Sequence, residues 1–213
     1  MTDLGFSLDQ AGRPLEVTVP DRISSLLIAG TSHTGKSTFA SLIGQSLGWS
    51  IFSTDQLARH PGRPWPKVAP HIAEYYSRLS AESIYQFLLH HHENMWPGIR
   101  RLVSENRDQD IRFVLEGSAL RPEYIATLKL DETAVVYFYA DHDFLRGRMH
   151  SESRYDDLDE SHQTAVDKFI NRSLRDNDEQ LATARSHRLA CIDVRDATAV
   201  EQFVLAIISS GSG

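Results

Sequence analysis

Short apolar runs punctuate this chain, and between them apolar positions recur at helical spacing. Ser25 to Ala29 is an apolar run ending at Gly30, the pattern of a parallel strand buried on both faces. From Lys36 to Leu47 the apolar positions Phe39, Leu42, Ile43 and Leu47 predict a helix that Gly48 stops. Trp49 to Ser53 reads as a second strand, Ile111 to Leu115 as a third ending at Glu116-Gly117, Ala134 to Ala140 as a fourth and Leu189 to Val194 as a fifth. Helical spacing covers Ile72 to Leu79, Ala81 to about Asn106 with a break or kink expected at Pro97, Asp141 to His150, Ser161 to Ser186 and Ala197 to Ser209.

Strands alternating with helices predict an α/β fold: a five-stranded, parallel, doubly wound sheet between helical layers, with ligands at the carboxyl ends of the strands. The 213 residues suit a single domain. Leu15 to Val19 suggests a short edge strand or hairpin, and the closing Ser-Gly-Ser-Gly a flexible tail. His60 to Pro66 contains three prolines and a glycine, which exclude regular helix and predict a stiff loop. With Trp65 and the cations Arg59 and Arg63, that loop reads as substrate-facing, the alternative being a plain connection.

The formal charge of −7 disfavours the broad basic footprint that nucleic-acid binding needs, while leaving room for a small anion held by a local arginine cluster. One cysteine, Cys191 in an apolar run, allows no internal disulfide and fits a reducing cytoplasm. No run reaches membrane-spanning length, and Met1 to Gln10 does not read as a signal peptide. Asn171-Arg172-Ser173 fits a glycosylation sequon that is expected to be a chance match.

The chemistry begins at Gly30-Thr31-Ser32-His33-Thr34-Gly35-Lys36-Ser37, a full P-loop pattern with a strand before it and a helix after it. Gly30 and Gly35 let successive backbone N–H groups turn toward phosphate oxygens, and the helix N-terminus adds favourable potential. Lys36 is expected to reach the β- and γ-phosphates and the Ser37 hydroxyl to ligate Mg²⁺. Thr31 to Thr34 and Thr38 complete the nucleotide contacts, with His33 and Thr34 lining the loop and taking no catalytic role.

Acids stand at two further strand ends, in Ser53-Thr54-Asp55 and Leu115-Glu116-Gly117. An alcohol attacking a γ-phosphorus must lose its proton, which Asp55 is placed to accept; its other reading is a cap on the following turn. Glu116 reads as a partner of the metal through water, or of the substrate, and Gly117 as a point of close backbone approach.

GTSHTGKS, then STD, then VLEGSALRP together resemble the P-loop small-molecule kinases, the last motif being similar to that of 2-phosphoglycerate kinase and the arrangement to shikimate, gluconate and nucleoside monophosphate kinases. The resemblance spans Leu26 to Val194. It implies a nucleoside monophosphate kinase-type core over about 23–209, an acceptor-site helical insertion over about 56–106 and a helical lid over about 146–160. It implies ATP and Mg²⁺ as cofactors, a small hydroxylated substrate, and Asp55 at the acceptor with Glu116 and Gly117 beside it. Shikimate kinases carry an acid where this chain has Ser53, a departure that speaks against shikimate as substrate. Arg146, Arg148 and Arg154 fall where the lid is implied, and such arginines stabilise a transferring phosphoryl group. Arg172 and Arg175 follow on the next helix, and nearby acids offer all of them a plain surface role instead.

His90-His91-His92 does not predict a metal site, because consecutive helical side chains point about 100° apart. The competing functions are a nucleoside or polynucleotide kinase, and a nucleotide-hydrolysing switch. No Asn-Lys-x-Asp guanine motif and no Leu-Ser-Gly-Gly transporter signature supports the latter.

Overall fold

The computed structural model describes residues 19–58, 62–65 and 67–212. In chain order the elements are β1 (Ser25–Gly30), α1 (Lys36–Leu47), β2 (Ser50–Ser53), α2 (Pro70–Arg78), α3 (Ala81–Asp108), β3 (Phe113–Gly117), α4 (Pro122–Ile125), β4 (Thr133–Tyr139), α5 (His142–Ser153), α6 (Glu160–Ser186), β5 (Ala190–Asp193) and α7 (Ala197–Gly211). Short 3₁₀ turns follow β2 at Thr54–Gln56 and α5 at Tyr155–Asp157. The strand suggested at Leu15 to Val19 and the cation Arg59 fall wholly or mostly outside the described residues.

The five strands form one parallel sheet in the order β2-β3-β1-β4-β5. Alternate residues of each strand serve opposite faces. Leu26 and Ile28, with Val114, Val136 and Phe138, pack against Ala40 and Ile43 of α1 and Phe203 and Ile207 of α7. Leu27 and Ala29, with Leu115 and Tyr137, pack against Ile99 and Val103 of α3 and Ala184 of α6. Both faces are therefore dry, which is why the strands read as unbroken apolar runs.

From β1 the chain runs to β2 at one edge and back to β3, and from β3 it crosses to β4 and β5 on the other side, so the crevice beyond the carboxyl ends of β1 and β3 is the topological switch point. Register fixes what stands there. Ala29 pairs with Gly117, Gly30 with Phe138, and Ser53 with Glu116.

Three expectations change. Pro97 does not break α3, which runs on to Asp108 with Met95, Ile99 and Val103 buried on either side of the proline; the core contacts offset the lost N–H donor. Helix α5 holds Arg146 and Arg148 as expected but continues past His150 to Ser153, which makes Arg154 its exposed left-handed cap, with φ of 53°. Trp49 precedes β2 rather than opening it, and its ring is buried between α1 and α7.

Candidate functional site

The loop from β1 to α1 bends through two required glycines. A Cβ on Gly30 would stand 2.4 Å from the Phe138 carbonyl oxygen, and Gly35 has φ of 84° as the residue capping α1. The backbone of His33 is also left-handed, with φ of 68°, although it has a side chain. Thr34 Oγ1 donates to the Thr31 carbonyl at 3.0 Å, and Thr31 Oγ1 donates to the Ser173 carbonyl at 3.0 Å, tying the loop to α6.

Lys36 is buried, with its Nζ donating to the Thr31 carbonyl at 2.6 Å. Burial pulls its pKa down, while Glu116, Asp55 and Asp176 act in the opposite sense. A phosphate arriving beside this ammonium would add the compensating charge that burial withholds.

Ser37, at the first turn of α1, donates to Glu116 Oε1 at 3.1 Å. Ser37, Ser41, Ser53, Asp55 and Glu116 line one cleft of about 340 Å³. The Ser37 hydroxyl and the Asp55 and Glu116 carboxylates are hard oxygen donors, the kind that suit Mg²⁺. Gly117 permits a close approach, but the group that approaches is Thr54: a Cβ at 117 would fall 1.8 Å from Thr54 Oγ1. Thr54 is thereby locked in the core, and Asp55 is held at the cleft by the 3₁₀ turn that follows β2, where Ser53 Oγ accepts from the Asp55 N–H at 3.3 Å. The capping role expected of Asp55 is thus filled by Ser53.

Asp55 also lines a second cleft, with Ser32, Arg63, His91, His92, Ser118 and Arg172. His92 is buried on α3 and lies 3.4 Å from Ser118 Oγ. Arg172 of α6 stacks over Phe169, its Cζ 4.4 Å from the ring centroid. Among the described residues Arg172 has no ion-pair partner, and its buried Nε makes no hydrogen bond. Arg63, by contrast, is paired with Glu152 of α5.

The remaining arginines divide. Arg148 reaches toward the P-loop, with Nη1 3.7 Å from where a Gly35 Cβ would stand. Arg146 lies one residue from Gly147 on the same helix, partly buried, and lines neither cleft. Arg154 is exposed at the helix cap and also lines neither cleft, and Arg175 is engaged by Glu82 and Glu179. Thr38 is exposed on the first turn of α1.

Two parts of the site escaped the sequence reading. Glu152 stands among the acids of a polar stretch with nothing to mark it, and its partners His33, Arg63 and Trp65 are remote in the chain. Arg121 was visible only as part of a motif. It is buried and bonds Asp176 Oδ1 at 3.2 Å, while Gln180 Nε2 donates to Asp176 Oδ2 at 2.8 Å, so the loop after β3 is fixed to α6.

A P-loop at the switch point of a β2-β3-β1-β4-β5 parallel sheet defines the P-loop nucleotide-binding fold, in the form found in small kinases. The chain is similar to an unliganded sugar kinase from Janibacter sp. HTCC2649 at 16% identity and a TM-score of 0.50, covering 90% of this chain and 99% of that one. It also matches a gluconokinase from Sinorhizobium meliloti 1021 at 19% identity and a TM-score of 0.42, over 90% and 93% of the two chains. A shikimate kinase from Acinetobacter baumannii matches at 15% identity and a TM-score of 0.40, over 90% and 97%. No protein-family model and no curated protein matches the sequence. Among the described residues no helix is long and apolar enough to cross a membrane.

Proposed function

We propose that this protein is a kinase that transfers the γ-phosphoryl group of ATP, with Mg²⁺, to a hydroxyl of a small anionic metabolite. The observation that carries the reading is the position of Asp55, which faces both clefts at once: the oxygen-lined one with Ser37 and Glu116, and the arginine-bearing one with Ser32 and Arg172. A carboxylate at that junction stands where an acceptor hydroxyl would meet a phosphoryl group.

The roles follow from the chemistry. The P-loop amides and Lys36 hold the phosphates. Ser37 and Glu116 would hold Mg²⁺, which when bound neutralises charge on the phosphate oxygens. Asp55 accepts the acceptor's proton or keeps its hydroxyl in line. Arg148, beside the phosphate loop, stabilises charge on the group in transit. Arg172 supplies the anion site of the acceptor, since an arginine without a counter-ion in a polar cleft is completed by a carboxylate or phosphate. Arg63 shares that cleft, but Glu152 already offsets its charge.

The test incubates the protein with ATP, Mg²⁺ and a panel of sugar acids, neutral sugars, amino alcohols, nucleosides and oligonucleotides, with phosphorylated product read by mass spectrometry. Phosphorylation of a hydroxy acid or phosphorylated alcohol is the expected result. With that acceptor, Asp55→Asn should lower kcat by about 10²–10⁴-fold while nucleotide still binds. Full turnover in that variant would dismiss Asp55 as the base, and nucleotide binding without any acceptor across the panel would dismiss the kinase reading.

A further inference from the structure

His33 is held in a left-handed backbone conformation that residues with a Cβ rarely adopt, and its imidazole is almost wholly buried at 4% exposure. Its side chain enters a cluster built by three separate segments. Its Nε2 lies 2.9 Å from Glu152 Oε2 of α5, a close contact short of a straight hydrogen bond. Glu152 Oε1 in turn accepts from Arg63 Nη1 and, at 3.4 Å, from Trp65 Nε1. Trp65 packs edge-on against Phe169 with centroids 4.9 Å apart, and its ring is 5.8 Å from that of His33. The same loop is anchored to α2 where Tyr76 Oη donates to the Gly62 carbonyl at 2.9 Å.

One carboxylate therefore joins the phosphate loop, the acceptor-side loop and the arginine-bearing helix. Helix α5 also carries Arg148 beside Gly35, so any shift of the P-loop that moves His33 is felt at Glu152 and, through it, at Arg63 in the acceptor cleft. We propose that Glu152 is a positioning residue that couples occupation of the P-loop to the order of the acceptor-side loop, so that nucleotide pre-forms the acceptor cleft. By linkage, an acceptor that orders Arg63 must then tighten nucleotide binding by the same factor. The proposal rests on the P-loop binding a nucleotide, as read above, but not on which acceptor is used.

Hydrogen–deuterium exchange tests it on the full chain, with Mg²⁺ and a non-hydrolysable ATP analogue as the probe. In the unaltered protein the analogue should slow exchange at 31–38 and also at Gly62, Arg63, Trp65, Lys67 and Val68, by about threefold or more. In Glu152→Ala the analogue should still protect 31–38, whereas protection of the Gly62 to Val68 amides is lost. Arg63→Ala, a change at a half-exposed side chain, should lose it as well, which keeps the test decisive if Glu152→Ala folds poorly. Protection passing undiminished in Arg63→Ala and Glu152→Ala, or absent from the acceptor-side loop of the unaltered protein while 31–38 is protected, overturns the coupling alone. Absence of protection at 31–38 in the unaltered protein overturns the nucleotide reading and the coupling together.

Discussion

At the scale of single residues, burial opposes the charge of both His33 and Glu152, and their neighbours decide the outcome. Burial, with the nearby Arg63 next in weight, brings the pKa of His33 down to about 4, against an ordinary value near 6.5. The unfolded chain then takes up this proton first, so stability should be complete above about pH 6.5 and fall as pH drops toward about 4, with a slope of up to about 1.4 kcal/mol per pH unit. Glu152 is shifted in the same direction. Burial opposes its charge, but Arg63 and His33 prevail and hold its carboxyl below the ordinary range, so its own contribution disappears in more acidic solution. Urea midpoints between pH 6.5 and 4.5 should show this loss, and His33→Asn, which tolerates the left-handed backbone but carries no proton in this range, should flatten it. A slope unchanged by the substitution would mean that other groups set it. The sequence showed His33 only as a variable position of the P-loop, since burial against Trp65 and Phe169 is a long-range property.

At the scale of elements, the apolar runs located all five strands and the glycines located the P-loop, because both are written in local sequence. Ends and connections were less legible. Pro97 argued for a break that core packing overrides, α5 extends three residues past His150, and the turn α4 gave no periodic signal. The tie between the loop after β3 and α6 was hidden for another reason: Arg121 and Asp176 are ordinary charged residues until the fold removes both from water. Breaking such a pair strands a buried charge. Arg121→Ala should therefore cost about 3–5 kcal/mol in denaturant unfolding, and the double replacement Arg121→Met with Asp176→Leu should recover much of that loss. If the single change costs less than about 1 kcal/mol, Asp176 is being compensated by Gln180 and solvent.

For the whole molecule, the decisive fact is that β1, β2 and β3 present their chemistry at one end of one sheet, around a lysine that burial leaves under-compensated. Ligand binding should then appear as global stability. At a hundredfold excess over Kd, Mg²⁺ and ATP should add about 2.7 kcal/mol, or roughly 5–10 °C in Tm, and Lys36→Ala should abolish most of this. An equal shift in that variant would place the nucleotide elsewhere. The occupant of the arginine-bearing cleft was not legible because that cleft draws Ser32, Arg63, His92 and Arg172 from four distant segments.

The fit of Thr54 against Gly117 leaves so little room that the two strand-end motifs act as lock and key. A loop grafted after β2 from a protein of this fold would seat only if the residue at 54 and the one at 117 travelled together. Engineering the clefts of this scaffold thus has an inheritance rule: STD and LEG are exchanged as one cassette, while Arg172 of α6 can be varied on its own.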